Sequence, residues 1–156
     1  MKHDSFYTDE KLARDGMKFF PFEKLPDFAE EIQELCGSDR DAEIFSPFKA
    51  GDYTPELSYI AVLNDKVFGW VYCKRIDSDV IAFNGWYVAK NFRTVMGGGI
   101  SLISYTIRKL ISCCSVIKFT LSELSKSLKR FYKYYFGNAL KTGTRRFKIE
   151  MNRNLQ

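Results

Sequence analysis

Three strand-like runs follow one another between positions 57 and 88 with only turn-length gaps, and this limits the fold more than any other feature. Residues 57–63 (LSYIAVL) and 67–75 (VFGWVYCKR) are rich in β-branched and aromatic side chains, and Asn64-Asp65-Lys66 separates them as a turn. A second turn signal at 77–79 leads into 80–88 (VIAFNGWYV). Gaps this short cannot hold the crossover that parallel neighbours require, so the three runs form an antiparallel meander.

The segments on either side are of mixed type. Residues 1–15 are polar and irregular and are expected to be loosely ordered. Residues 17–23 (MKFFPFE) read as a strand interrupted by Pro21. Residues 25–37 (LPDFAEEIQELCG) read as a helix: Pro26 and Asp27 sit in the first turn, Phe28, Ile32 and Leu35 recur at helical spacing, and Gly37 marks the stop. A short helix and loop are expected over 38–55. After the meander, 89–99 (AKNFRTVMGGG) read as a glycine-rich loop, and 100–114 as a helix whose apolar face is Ile100, Ile103, Ile107, Leu110 and Ile111. A strand at 116–121, a basic and aromatic helix at 124–138 and a strand region at 141–152 complete the chain. Strands alternate with helices only in the second half. The expected class is therefore α/β in the broad sense, an α+β arrangement on a mixed, mostly antiparallel central sheet flanked by helices.

The 156 residues (18.2 kDa) suit one domain, 1–156, large enough to bury roughly 70% of its unfolded surface. Charge is unevenly distributed. Residues 1–78 hold 10 Lys/Arg against 16 Asp/Glu, and 79–156 hold 14 against 3. The basic half points to an anionic partner such as a nucleotide cofactor or nucleic acid, or else to a solvated helix face. The four cysteines, at 36, 73, 113 and 114, include no Cys-x-x-Cys pair, and the single histidine is His3, so no zinc site is expected. Reduced, buried thiols, no signal-like leader and no apolar run of ~18–20 residues fit a cytoplasmic protein with no membrane span.

The chemistry is concentrated where the third strand of the meander runs out. Arg93-Thr94-Val95-Met96-Gly97-Gly98-Gly99 lies between that strand and the helix opening at Ile100. Such a junction turns successive backbone N–H groups toward one point, and the helix N-terminus adds partial positive charge, so a phosphate is favoured there. Glycine lets an anion approach the backbone closely, and Arg93 adds a cation. A Walker loop would end in Gly-Lys-Ser/Thr, and a dinucleotide loop would read Gly-x-Gly-x-x-Gly on a parallel sheet. Neither pattern is present.

This segment, WYVAKNFRTVMGGGISLI, resembles the strand-loop-helix motif of the GNAT N-acetyltransferase superfamily, in which Arg/Gln-x-x-Gly-x-Gly/Ala follows a strand. Val88 matches the strand end and Arg93 the basic position. In one register Met96 stands where the first glycine is usual and Gly98 is the last small residue. In the other, a one-residue insertion puts Gly97 and Gly99 on the two glycine positions and Leu102 at its expected place. Further on, SKSLKRFYKYYFG resembles the family's Asn-x-x-Ala-x-x-Leu-Tyr-x-x-x-Gly-Phe helix, with Tyr132 on the tyrosine and Ser125 on the asparagine. Leu128 replaces the small residue, and Phe136-Gly137 inverts the final pair. The resemblance implies a sheet splayed between its fourth and fifth strands. It also implies that acetyl-CoA is the acyl donor, its pyrophosphate held by the backbone from Arg93 to Ile100 and its thioester near Tyr87 and Val88, with Ser125 beside the cofactor.

By the same resemblance the reaction is transfer of acetyl to a primary amine. Tyr132 is the proton donor to the departing thiolate, and Glu123, just after the fifth strand, is a candidate base for the amine. No metal is required, the acceptor is left open as a small molecule or a protein, and a homo-oligomer is compatible with the sequence. Two alternatives stand beside this reading. One is a non-catalytic CoA-binding module, suggested by Met96 and the inverted Phe-Gly pair. The other is a nucleic-acid-binding protein using the basic half, where Lys126, Lys129, Arg130 and Lys133 form a stripe that also suits a nucleotide 3′-phosphate. Trp70 and Trp86 are expected to pack or to line an acceptor cleft.

Overall fold

The computed structural model describes residues 16–93, 102, 105, 106, 108–110, 112–120 and 148–152. Six strands form one sheet in sequence order: β1 (Met17–Pro21), β2 (Tyr59–Leu63), β3 (Lys66–Arg75), β4 (Val80–Val88), β5 (Val116–Thr120) and β6 (Lys148–Asn152). The pairs β1–β2, β2–β3 and β3–β4 are antiparallel, whereas β4–β5 and β5–β6 are parallel. The sheet is thus mixed and mostly antiparallel, as the meander requires.

Local chemistry sets the corners. Asn64 and Asp65 both have positive φ, 48° and 67°, the two-residue turn whose twist suits a tight hairpin. Pro21 ends β1 earlier than the sequence suggests, and a single 3-10 turn, Phe22–Lys24, follows. Its proline ring fixes φ and removes a ladder donor. Pro55 likewise starts a 3-10 turn, Pro55–Leu57, so β2 opens at Tyr59 rather than at 57.

Helix α1 (Leu25–Ser38) carries Pro26 in its first turn and buries Leu25 and Ile32. Asp39 breaks it with extended backbone (φ −131°, ψ 120°), and α2 (Arg40–Ile44) begins at once. Lys90–Arg93, read from the sequence as loop, forms a one-turn helix, α3. The turn closes through the Phe92 N–H donating to the Ala89 carbonyl at 2.9 Å.

Side chains alternate along β2 between two cores. Ile60 and Val62 join Phe22, Leu25, Ile32 and Ala42 beneath α1 and α2. Tyr59, Ala61 and Leu63 face the opposite side, where the helical residues Leu102 and Leu110 pack with Phe68, Val71, Ile81, Phe83 and Ile117. Helices therefore cover both faces, which explains why every residue of β2 is buried. Each fully buried aliphatic or aromatic side chain contributes about 1.5–3 kcal/mol relative to exposure, so both cores are needed for a stable sheet.

Candidate functional site

The site is built at the C-terminal end of β4. Its parallel ladder to β5 runs from Val80–Val116 to Phe83–Phe119, while β4 itself continues to Val88. The register with β3 shifts at the same place: Cys73 pairs with Phe83 and Tyr72 with Gly85, leaving Asn84 as an extra residue. A β-bulge bends its strand and sharpens the local twist. Here the bulge coincides with the last β4–β5 pair among the described residues.

The bulge also resets which way β4 side chains face. Ile81 and Phe83 point into the core beneath Leu102 and Leu110, and so does Val88, whereas Tyr87 turns toward α1 and α2. Were Asn84 an ordinary paired residue, strict alternation would put Tyr87 on the face of Ile81 and Phe83. The sequence signal for this was the Asn84-Gly85 pair inside a strand pattern, which marks a bulge.

Glycines let the strand end pack closely. A Cβ on Gly69 would lie 2.5 Å from the Tyr87 carbonyl oxygen and 3.3 Å from Leu102 Cδ2. A Cβ on Gly85 would lie 2.5 Å from the Tyr72 ring and hydroxyl. The Ala89 N–H donates to the Phe68 carbonyl at 2.7 Å and fixes the exit of β4 into α3.

Tyr87 and its register partner Trp70 form a tilted aromatic pair with centroids 4.6 Å apart, and both are buried. The Tyr87 hydroxyl donates to Asp39 Oδ2 at 2.7 Å. The Trp70 indole N–H donates to the Phe45 carbonyl at 2.8 Å. Trp70 is thus a packing residue rather than an open cleft wall. Asp39 was not singled out in the sequence, and its place directly after the helix-ending Gly37-Ser38 was the available cue.

Of the residues assigned from sequence, Tyr87 and Val88 occupy the last two positions of β4, both buried, and Arg93 is the last residue of α3. Thr94, Val95, Met96, Gly97, Gly98, Gly99, Ile100, Glu123, Ser125 and Tyr132 lie outside the described residues. So do residues 1–15 and the basic stripe of Lys126, Lys129, Arg130 and Lys133. Among the described residues, no three His, Cys, Asp or Glu side chains are grouped as metal ligands, and no helix is long and apolar enough to cross a membrane.

The four cysteines are free thiols, and Cys73 and Cys114 are buried. Burial, reinforced by neighbouring thiols, pushes Cys73 strongly up from its ordinary value of 9.0, and burial pushes Cys114 up to about 11. Burial also raises Cys36. These three are poor nucleophiles, because the thiolate is the reactive form.

No protein-family model matches the chain, and no curated protein matches it by sequence. Solved structures do match. Ard1 from Thermoplasma volcanium superposes with a TM-score of 0.58 at 15% identity, over 77% of this chain and 81% of that one. An acetyltransferase of the GNAT family from Staphylococcus aureus gives 0.54 at 18% identity, over 76% and 82%. The chain has the GNAT fold. An aminoglycoside N-acetyltransferase, AAC(6')-Iy, whose structure is a complex with CoA, aligns over 90% of this chain and 99% of its own, with a TM-score of 0.52 at 15% identity. The mixed sheet flanked by helices is accordingly a property of the folded chain.

Proposed function

We propose that this chain is an acyl-CoA-dependent N-acyltransferase that moves acetyl from acetyl-CoA to a primary amine by direct attack in a ternary complex. One observation carries the reading. β4 is bent at the Asn84 bulge and runs on through Val88 and α3 to Arg93, the residue that opens the segment leading to the three glycines in sequence. The solved GNAT structures it matches include complexes with CoA and with bisubstrate analogues, which supports an acyl-CoA and an amine as partners.

In this reading the diphosphate is bound by backbone N–H groups between Arg93 and Ile100, with the Arg93 cation nearby and Ser125 beside the cofactor. The thioester carbonyl lies beside the backbone of Tyr87 and Val88. The amine nitrogen attacks the carbonyl carbon, and a C–N bond forms as the carbonyl oxygen takes up negative charge. That charge then returns to re-form the carbonyl while the C–S bond breaks. Tyr132 gives its proton to the departing sulfur. The proton lost by the ammonium passes to Glu123 or to water. Holding amine and thioester in line supplies much of the rate enhancement, so few side chains are required.

Calorimetry with CoA and acetyl-CoA, followed by thiol release with a panel of amines, tests the proposal. Tyr132→Phe is expected to lower kcat by about 10²-fold while CoA still binds. Unchanged turnover would remove Tyr132 from its role. CoA binding without thiol release from any amine would favour the non-catalytic module. A thermal shift with an oligonucleotide and none with CoA would favour the nucleic-acid reading.

A further inference from the structure

Helix α2 has five residues, too few to persist unaided, because nucleation costs more than so short a helix returns. Both of its ends are held by one pair of rings on the sheet. At its start, Asp39 divides its carboxylate between two donors: Oδ1 accepts from the Asp41 N–H at 3.0 Å, and Oδ2 accepts from the Tyr87 hydroxyl at 2.7 Å. At its end, the Phe45 carbonyl accepts from the Trp70 indole N–H at 2.8 Å. Trp70 and Tyr87 are cross-strand neighbours on β3 and β4, with rings 4.6 Å apart. The bracket spans 48 positions in sequence from Asp39 to Tyr87 and 25 from Phe45 to Trp70, so local propensity cannot supply it.

The location gives the bracket a consequence. Tyr87 is the penultimate residue of β4, beyond its bulge at Asn84. The helical residues that follow the triglycine segment, Leu102 and Leu110, pack on one face of the sheet, while α2 and Tyr87 belong to the other. α2 therefore stands against the end of β4 on that second face.

We propose that Tyr87 is a positioning residue: its hydroxyl, acting through Asp39, fixes α2 at the end of β4 and so sets the passage an acceptor amine must enter. The assignment rests on the N-acyltransferase reading and adds to it a role for a side chain whose backbone alone was implicated there. The bond to a carboxylate is of the stronger, charge-assisted kind.

The test is a double-mutant cycle between Tyr87→Phe and Asp39→Asn, read on three quantities. Each single variant is expected to raise the KM for amine about tenfold, and the double variant no further, because Tyr87→Phe removes the donor and Asp39→Asn the charged acceptor of one and the same bond. Amide hydrogen exchange at Glu43 and Phe45, whose N–H groups donate to the Asp39 and Asp41 carbonyls, is expected to quicken in the same variants. Trp70→Phe, which releases the other end of α2, is expected to quicken the same two amides. Calorimetric CoA binding by the wild type is the third reading. Unchanged exchange at Glu43 and Phe45 in Tyr87→Phe would overturn the bracket. Quickened exchange with an unmoved amine KM would overturn the positioning role alone. Absence of CoA binding by the wild type would overturn the N-acyltransferase reading and this role with it.

Discussion

Two glycines of this chain differ in what surrounds them, and the difference makes a matched pair of expectations. Gly69 has an ordinary backbone angle, yet a Cβ there would lie 2.5 Å from the Tyr87 carbonyl oxygen, which is backbone and cannot swing aside. Gly69→Ala is therefore expected to lose about 2–3 kcal/mol of stability through overpacking between β3 and β4. Gly37, inside α1, has nothing within 4 Å of its Cβ position, so Gly37→Ala is expected to gain about 0.5–1 kcal/mol by restricting the unfolded chain. Urea unfolding of both variants checks the pair, and equal stabilities would refute the close strand approach. Legibility at this scale was uneven. Phe28, Ile32 and Leu35 announce their helix face by spacing, because a repeat of 3.6 is visible in one segment. Asp39 and Tyr87 meet across 48 positions of sequence, and no local pattern encodes such a partnership.

Among the elements, the meander was the easiest to read and its most consequential detail the hardest. The run 80–88 was recognised with its observed bounds because short turns and β-branched residues dominate local preference. The bulge at Asn84 was not, since its one cue, the Asn84-Gly85 pair, is outweighed by the strand-forming residues around it. It does change facing, and this can be tested. Deleting Asn84 is expected to straighten β4 yet leave Tyr87 on its observed face, because regular alternation from Phe83 through Gly85 keeps Trp86 and Val88 with Phe83 and Tyr87 opposite, so its bond to Asp39 and its contact with Trp70 persist. A loss well below about 3 kcal/mol in urea unfolding is therefore expected, since no core side chain changes face. Asn84→Ala, at an exposed position that keeps the count of residues, is expected to stay within about 0.5 kcal/mol of the wild type. A loss of about 3 kcal/mol or more from the deletion would mean that the register shift at Asn84 does not account for the facing of Tyr87. The short helix α3 is not legible in the sequence for a related reason: one turn of four residues is too short to show a helical repeat.

For the molecule as a whole, the two cores share one sheet, so loosening either should unfold both in a single cooperative step. The core beneath Leu102 and Leu110 contains three groups that resist ionisation. Burial is the largest cause for each: Tyr59 is pushed up from 10.0 to about 12, Cys114 from 9.0 to about 11, and Cys73 rises further still. Tyr59 also donates its hydroxyl proton to the Glu56 carbonyl at 3.2 Å, a bond that only the neutral form can make. The sign follows from proton counting. Below pH 9 these groups are largely protonated in folded and unfolded chains alike, and their contribution is fully present. Between the ordinary and the raised values the unfolded chain releases protons that the folded chain keeps, so stability falls as pH rises. The fall is expected to begin near pH 9 with the thiols, to steepen above pH 10 as Tyr59 joins, and to continue through about pH 12. Each group contributes at most about 1.4 kcal/mol per pH unit while it is engaged. Urea unfolding at steps from pH 8 to 11 would trace this limb, and Tyr59→Phe should remove the added slope above pH 10 while leaving the thiol part in place. A flat profile from pH 8 to 11 would mean that this core admits water to its thiols and phenol, which would contradict the packing of Leu102 and Leu110 on the sheet.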